Sequence, residues 1–116
     1  MCIRDRATTG GNNVAIGVDA MEQNTTGSGN TVVGNYALQD NTTGTNNVAI
    51  GYSSAHENTT ASANTYIGDF AGYYLNASQN VAIGYNCLKG NGSNLNAYYN
   101  VGICLLYTSP SPRDRG

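Results

Sequence analysis

Few side chains in this sequence could carry out acid–base, nucleophilic or metal chemistry. The chain of 116 residues has one histidine, three cysteines and seven acidic residues. Glycoside hydrolysis needs two carboxylates that face one bond, and a cysteine nucleophile needs a base beside it. Between residues 7 and 103 the acids are single and scattered, and Cys87 has no matched histidine–acid pair. We therefore predict no catalytic centre, no cofactor and no metal site, and we expect the protein not to be an enzyme. The acids in question are Asp19, Glu22, Asp40, Glu57 and Asp69.

Tyrosines are the better candidates for contact with a ligand. They occur singly at Tyr52 and Tyr85 and in the tandem pairs Tyr73–Tyr74 and Tyr98–Tyr99. A tyrosine offers an apolar ring and a polar hydroxyl, which suit contact with a sugar or a protein surface. Packing of the same rings against a neighbouring segment or a second chain is the alternative. The residue types leave both interpretations open.

These tyrosines lie between copies of a five-residue motif that recurs along the chain. The motif reads N-V-A-I-G or a close variant, and successive copies begin 17, 17, 17, 16 and 20 residues apart. A fixed period of this kind predicts a solenoid of stacked coils, in which each coil contacts only its neighbours. The copies are Asn13–Gly17, Asn30–Gly34, Asn47–Gly51, Asn64–Gly68, Asn80–Gly84 and Asn100–Cys104.

The second, third and fourth positions of each copy are mostly small or apolar and predict a short strand. Because strand side chains alternate, the second and fourth positions share one face and the third lies on the other. A strand that is apolar on both faces is typical of a parallel sheet covered on both sides. We assign the second and fourth positions to the interior, so that Ile50→Asp would abolish folding. The third position would then form an outer apolar face, which a trimer would cover. It holds Ala15, Val32, Ala49, Tyr66 and Ala82.

The remaining positions predict how the coil closes. Glycine at the fifth position of five copies indicates a positive φ or a close backbone approach. A small residue three positions later, usually followed by an apolar one, predicts a second short strand. N-T-T-G or N-T-T-A then forms a turn. Ladders of stacked asparagines would follow the edges. The pairs Thr25–Thr26, Thr42–Thr43 and Thr59–Thr60 would form a polar stripe, an array that could bind ice.

The same register places the single histidine and the cysteine. His56 shares its position with Glu22, Gln39, Tyr73 and Lys89, a mixture that predicts a solvated surface residue that tolerates alanine. Cys87 shares its position with alanine and serine, which predicts a buried, small apolar side chain. The longer spacing before the sixth copy predicts a protruding loop around 90–99, a position that often carries binding residues.

The two ends of the chain share nothing with the repeats. Opposite strands of one DNA element can encode Met1–Asp5 and the segment C-L-L-Y-T that begins at Cys104. That element resembles the transposon end of sequencing-library adapters. We therefore expect residues 1–6 and 104–116 to be adapter-derived and residues 7–103 to be a fragment of a repeat domain. On this division, Cys87 has no partner for an internal disulfide.

Composition argues against two classes of partner. Residues 7–103 contain five acids and one base, Lys89, which gives a net charge of −4. So few cations argue against binding to nucleic acid. No apolar run approaches the roughly 20 residues that span a membrane as a helix, so we expect no membrane insertion in this segment.

The V-A-I-G strand, with a small residue three positions after its glycine, resembles the head repeats of trimeric autotransporter adhesins (YadA-like heads) and similar repeats of phage tail fibres. The resemblance covers residues 7–103, although the N-T-T-G turn makes the period longer than in the adhesin heads. It implies a left-handed parallel β-roll, a homotrimer and a surface that binds a host glycan or protein receptor. It also implies an extracellular location, on an outer-membrane-anchored cell surface or a virion tail.

Taken together, the sequence predicts an all-β parallel solenoid, a β-roll of five to six coils with a repeat of about 17 residues, assembled as a trimer. The predicted function is that of a non-enzymatic structural and adhesive fibre segment, which binds through many weak contacts. A polysaccharide-active solenoid and an ice-binding solenoid are the alternatives.

Overall fold

The computed structural model describes residues 10–90 and 98–104, which wind as a parallel β-solenoid. Six strands of three residues form one sheet in chain order, and every neighbouring pair is parallel. None of these described residues is helical. The predicted all-β parallel solenoid, with about five turns, is confirmed. The strands are β1 (Val14–Ile16), β2 (Thr31–Val33), β3 (Val48–Ile50), β4 (Thr65–Ile67), β5 (Val81–Ile83) and β6 (Val101–Ile103).

Some predictions fall outside the described residues. The predicted loop around 90–99 lies mostly at 91–97, and the ends predicted to be adapter-derived lie almost wholly at 1–9 and 105–116. Within the part of the chain that is described, no helix is long and apolar enough to cross a membrane.

The register between coils follows the repeat residue for residue. Val48 pairs with Thr65 and Ile50 with Ile67. Backbone hydrogen bonds between coils continue past the short strands, for example from Ala55 N to Ala71 O at 2.9 Å. Each coil therefore holds the next along most of its length, and the three-residue strands are only the regular part of that contact.

The face that lines the interior is the opposite of the predicted one. The third position is buried, with Val32, Ala49 and Ala82 all 0% exposed. The second and fourth positions face outward, and Val14 and Ile50 are 48% and 36% exposed. The assignment of Ile50 to the core and of the third position to the surface was wrong. The physical reason is volume: the third residue shares the narrow interior with the ninth residue of the coil, which is Met21 or Leu38 in the first two coils.

Within this thin interior, the third and ninth positions of each coil share the available volume. Val32 and Leu38 occupy these positions in one coil and are both fully buried. In the coil of β4 the third position holds Tyr66, and the ninth holds Gly72. A Cβ on Gly72 would lie 2.7 Å from the Tyr66 ring. The large side chain of Tyr66 is thus accommodated because Gly72 has no side chain.

Tyr66 carries the one phenol buried in the core. Its hydroxyl is buried and has no partner in hydrogen-bond geometry among the described residues. Burial raises the pKa of Tyr66, and the nearby Asn80 side chain acts in the opposite direction to a smaller extent. The Asn80 amide lies outside hydrogen-bond geometry, so the hydroxyl is unsatisfied among the described residues.

The predicted second strand is absent from the described coils. The segment after the fifth-position glycine is a run of turns, in which the seventh and ninth residues are left-handed. In the third coil these residues are Ser53 and Ala55, with φ angles of 55° and 54°. Strands need negative φ angles, so this alternation prevents a regular strand while still allowing hydrogen bonds between coils.

The corner that precedes these turns confirms the prediction made for glycine. Gly51 has a φ angle of 130°, which side chains rarely adopt. A Cβ there would lie 2.6 Å from the carbonyl carbon of Gly68 in the next coil. Both expected reasons for glycine, the backbone angle and the close approach, therefore apply at this position.

The leading asparagines form a ladder as predicted, but it is buried in the interior instead of following an edge. Asn47 is fully buried. Its backbone N–H donates to Asn30 Oδ1 at 2.9 Å, and its Nδ2 donates to Ala61 O at 2.9 Å. Its Oδ1 accepts from Asn64 N at 3.0 Å. Each amide thus fixes the corner of its own coil to both neighbours.

A second ladder begins the N-T-T-G turns and ends within the molecule. Asn41 Nδ2 donates to Asn24 Oδ1 at 2.7 Å, and Asn58 Nδ2 donates to Asn41 Oδ1 at 3.3 Å. The next coil has Leu75 at this position, so Asn58 Oδ1 is buried without a partner. The break in the ladder coincides with the loss of the N-T-T-G sequence.

Cys87 is fully buried, as predicted, but it is not unpaired. Its Sγ is bonded to that of Cys104, with the two Cα atoms 5.4 Å apart. The prediction that Cys87 has no internal partner was wrong, because stacking brings the end of β6 next to the small-residue position of the preceding coil.

Candidate binding surfaces

The first candidate surface is the outward face of the sheet, which we call the strand face. It consists of the second and fourth residues of β1 to β6. Ten of these twelve residues are valine or isoleucine, and the others are Thr31 and Thr65. Val33 and Val101 are 37% and 73% exposed. The strand face is therefore a continuous, uncharged apolar strip on a rigid, hydrogen-bonded backbone, a kind of surface that marks interaction sites.

The second candidate surface is a row of rings, which we call the aromatic ladder. It contains Tyr36, Tyr52, Phe70 and Tyr85, one from each of four successive coils. Consecutive ring centroids are 5.6, 5.6 and 6.2 Å apart, and each pair meets edge to face. This spacing lies in the range of favourable aromatic pairs.

The ladder is built by two adjacent positions that follow the corner glycine. Tyr52 and Tyr85 hold the first position after the glycine, and Tyr36 and Phe70 hold the second. The second position is left-handed, with φ angles of 62° at Tyr36 and 61° at Phe70. The alternation between the two positions brings one ring from each coil onto the same edge of the solenoid.

Polar side chains border the ladder. The backbone N–H of Tyr52 donates to Asp69 Oδ1 at 3.0 Å. Lys89 Nζ lies 5.0 Å from the centroid of Phe70, within cation–π range. Asn35 accepts a hydrogen bond from Val18 N through its Oδ1 at 2.9 Å. The ladder is thus flanked by one carboxylate, one ammonium group and an amide.

The tandem tyrosines of the fourth coil lie beside the ladder, together with the histidine. Tyr73 stacks on His56 with centroids 4.9 Å apart and contacts Tyr74 at 4.6 Å. Phe70 lies 5.9 Å from Tyr73 and joins this group to the ladder. The His56 side chain is only 19% exposed, so the prediction of a solvated, unconstrained residue was wrong. The neighbouring coil supplies the stacking partner.

Two of the acids are not scattered as predicted. Asp40 and Glu57 hold the same position in successive coils, and His56 Nδ1 lies 3.8 Å from Asp40 Oδ2. Burial is the main cause that raises the pKa of Tyr73, and the charges of Glu57 and Asp40 add to the shift. The repeat register places Asp40 and Glu57 at the same position of successive coils, and this could have revealed the pair from the sequence.

The other predicted pair lies apart from the ladder. Tyr98 and Tyr99 are 54% and 76% exposed, with centroids 6.5 Å apart. They precede β6, whereas Tyr52 and Tyr85 follow their strands, so the parallel register places the two groups at opposite strand ends. The structure therefore brings together four of the six predicted tyrosines, Tyr52, Tyr73, Tyr74 and Tyr85. Three residues that were not predicted join them: Tyr36 and Phe70, which hold the repeat position next to that of Tyr52 and Tyr85, and His56.

The threonine pairs contribute to coil stacking. Thr25 Oγ1 donates to Thr42 O at 2.9 Å, and Thr42 Oγ1 donates to Thr59 O at 3.1 Å. Thr59 Oγ1 accepts from Asn76 Nδ2 at 2.7 Å. The first hydroxyl of each pair is thus engaged within the solenoid and does not form part of a free polar stripe.

The described part of the chain is therefore a parallel β-solenoid that carries an apolar strand face and an aromatic ladder. Among its described residues, no group of three or more histidine, cysteine, aspartate or glutamate side chains could hold a metal ion. Comparison with protein-family models, with characterised proteins and with solved structures finds no match to the chain.

Proposed function

We propose that residues 7–103 form a non-enzymatic structural and adhesive segment of an extracellular fibre, a phage tail fibre or a bacterial surface adhesin, assembled as a homotrimer. The observation that carries this proposal is the strand face. An aliphatic side chain that loses about half of its exposure contributes roughly 1 kcal/mol. Five aliphatic side chains of the strand face are at least a third exposed, so association would gain several kcal/mol per protomer. They are Val14, Val33, Ile50, Val101 and Ile103.

Three chains are favoured over two by the resemblance of the repeats to trimeric adhesin heads. The strand face is only three residues wide in each coil. Three such narrow strips can meet around one axis and cover one another along the whole solenoid. The aromatic ladders would then be presented in three copies, and linked copies raise the effective concentration at a receptor.

Oligomeric state in solution tests this proposal. Sedimentation equilibrium at micromolar concentration should give the mass of a trimer. Ile50→Lys should shift the protein to monomer by placing a charge in the interface, and it should retain the circular dichroism of the folded coil because Ile50 points outward. Thr43→Lys is the matched control, since Thr43 is exposed in a turn, and it should remain trimeric. A monomeric parent protein, or a trimeric Ile50→Lys variant, would contradict the proposal.

A further inference from the structure

The aromatic ladder stabilises the fold less than its ring contacts suggest. Its three ring pairs contribute about 0.5–1.5 kcal/mol each. Tyr36 and Phe70 reach the ladder only in a left-handed conformation, which costs roughly 1–2 kcal/mol per residue. Asn86 takes the same conformation at the equivalent position, with a φ angle of 58°, and asparagine tolerates it better than an aromatic residue does. Ser53 takes this conformation as well, with a φ angle of 55°, so the coil does not require an aromatic residue at this position and the recurrence of rings calls for another explanation.

Two of the four rings remain exposed to solvent. Tyr52 and Tyr85 are 45% and 51% exposed. The side-chain-mediated hydrogen bond of Tyr52 uses its backbone N–H, which donates to Asp69, and leaves its hydroxyl for other partners. A ligand could therefore contact apolar ring surface and polar hydroxyls at the same edge of the solenoid.

The geometry of the ladder selects a ligand with a repeating unit. One ring from each coil places the row along the solenoid axis, in steps of 5.6, 5.6 and 6.2 Å. The more exposed rings, Tyr52 and Tyr85, come from every second coil. In a β-1,4-linked polysaccharide, equivalent faces of the sugar also recur at every second unit. The C–H faces of sugar rings pack on aromatic rings, and their hydroxyls bond to polar groups at the border.

The charges around the ladder favour an uncharged chain. Asp69 and Lys89 border the row, and Asp19 holds the position of Tyr36 one coil earlier, so the border carries charges of both signs. The repeat region as a whole carries a net charge of −4, which would repel a polyanion at long range. A neutral polymer is not repelled in this way.

We propose that the aromatic ladder binds a neutral, linear β-1,4-linked polysaccharide, whose chain lies along the solenoid axis with its sugar rings against Tyr52 and Tyr85. This inference rests on the proposed adhesive function, of which it names the ligand class.

Affinity electrophoresis tests the inference. Native gels that contain hydroxyethylcellulose or galactomannan should retard the protein, whereas gels with dextran or with the polyanion alginate should not. The double variant Tyr52→Leu/Tyr85→Leu keeps apolar bulk without the rings and should lose at least tenfold in affinity. Tyr98→Leu/Tyr99→Leu removes two exposed tyrosines away from the ladder and should stay within twofold of the parent.

Several results would overturn the inference: no retardation in either neutral β-1,4 polymer, equal retardation in alginate or dextran, or equal losses in the two double variants. A change of sedimentation mass in Tyr52→Leu/Tyr85→Leu would instead make the ladder a contact between copies of this chain. If that variant fails to fold, titration of the parent with cellohexaose should shift the ring signals of Tyr52 and Tyr85 in NMR spectra, and unchanged signals would count against the site.

Failure of the inference and failure of the proposed trimer can be told apart. The monomeric variant Ile50→Lys keeps its ladder and should bind cellohexaose as the parent does, with retardation in polymer gels reduced by lost avidity. A trimer that ignores all polymers rejects only the ligand class. A monomeric parent that binds hydroxyethylcellulose rejects only the trimer.

Discussion

The exchange of volume between Tyr66 and Gly72 gives the sharpest test of the interior. The Tyr66 ring lies against the ninth position of its coil, which Met21 or Leu38 occupies in the first two coils, and Gly72 leaves room for it. In the first coil the same two positions hold Ala15 and Met21, both 3% exposed, with about the same total side-chain volume. The double variant Tyr66→Ala/Gly72→Met should therefore reproduce a packing arrangement that the protein already uses.

The single substitutions should each be costly. Tyr66→Ala removes a buried ring, which costs about 3–5 kcal/mol for an aromatic residue. Gly72→Met places a Cβ 2.7–2.9 Å from three ring carbons of Tyr66, and such overpacking costs about 3 kcal/mol or more. The left-handed φ of 63° at Gly72 adds roughly 1 kcal/mol, a cost that Met21 already bears at 54°.

The double variant should be more stable than either single variant and lie within about 2 kcal/mol of the parent. It also removes the unsatisfied Tyr66 hydroxyl. Urea unfolding followed by circular dichroism measures all four proteins, at one protein concentration because association shifts apparent stability. If the two losses simply add, so that the double variant is the least stable of the four, the reasoning about shared interior volume is refuted.

Two further predictions concern polar groups of the interior. Asn47→Leu should lower the free energy of unfolding by about 3–5 kcal/mol, because the Asn64 N–H and the Ala61 carbonyl lose buried partners; a loss below about 1 kcal/mol in urea unfolding would contradict the role of the ladder. Burial raises the pKa of Tyr66 and of Tyr73, so the stability that their neutral forms contribute is complete below about pH 10 and is lost as the pH rises further. The free energy of unfolding from urea melts should be constant between about pH 8 and pH 10 as far as these groups are concerned. Above about pH 10 it should fall by up to about 1.4 kcal/mol per pH unit for Tyr66, and less steeply in Tyr66→Phe; equal slopes in the two proteins would refute the assignment.

The register of the solenoid could be predicted from the sequence, whereas the direction of its faces could not. Asparagine and glycine recur at positions where a buried amide and a positive φ are needed, so their spacing fixes which residues stack. Alternation alone leaves two choices of interior, and hydrophobicity ranks Ile50 above Ala49 as a core residue. The interior volume that the third and ninth residues share reverses that ranking. The segment that closes the coil contains the left-handed residues Ser53 and Ala55, whose types do not predict their conformation.

The candidate surfaces were predictable to a similar extent. The positions of Tyr52 and Tyr85 after the corner glycine were evident from the repeat. The rings that complete the ladder, Tyr36 and Phe70, reach it through a backbone conformation that aromatic residues seldom take. The stacking of His56 on Tyr73 depends on a contact between coils. Because the residue types at this position of the repeat differ from coil to coil, the sequence does not indicate that contact.

The direction of the hydrogen bonds between coils has a mechanical consequence. In a solenoid these bonds run along the axis, so a tension applied between the ends loads them in series, one layer after another. Under such a load the coils would separate one at a time instead of shearing together. Each coil of 17 residues would then release about 55 Å of chain, the extended length minus the 4.8 Å it spans when stacked. A segment of this kind would lengthen stepwise under flow, and the remaining coils would keep their surfaces intact while the outermost ones absorb the extension.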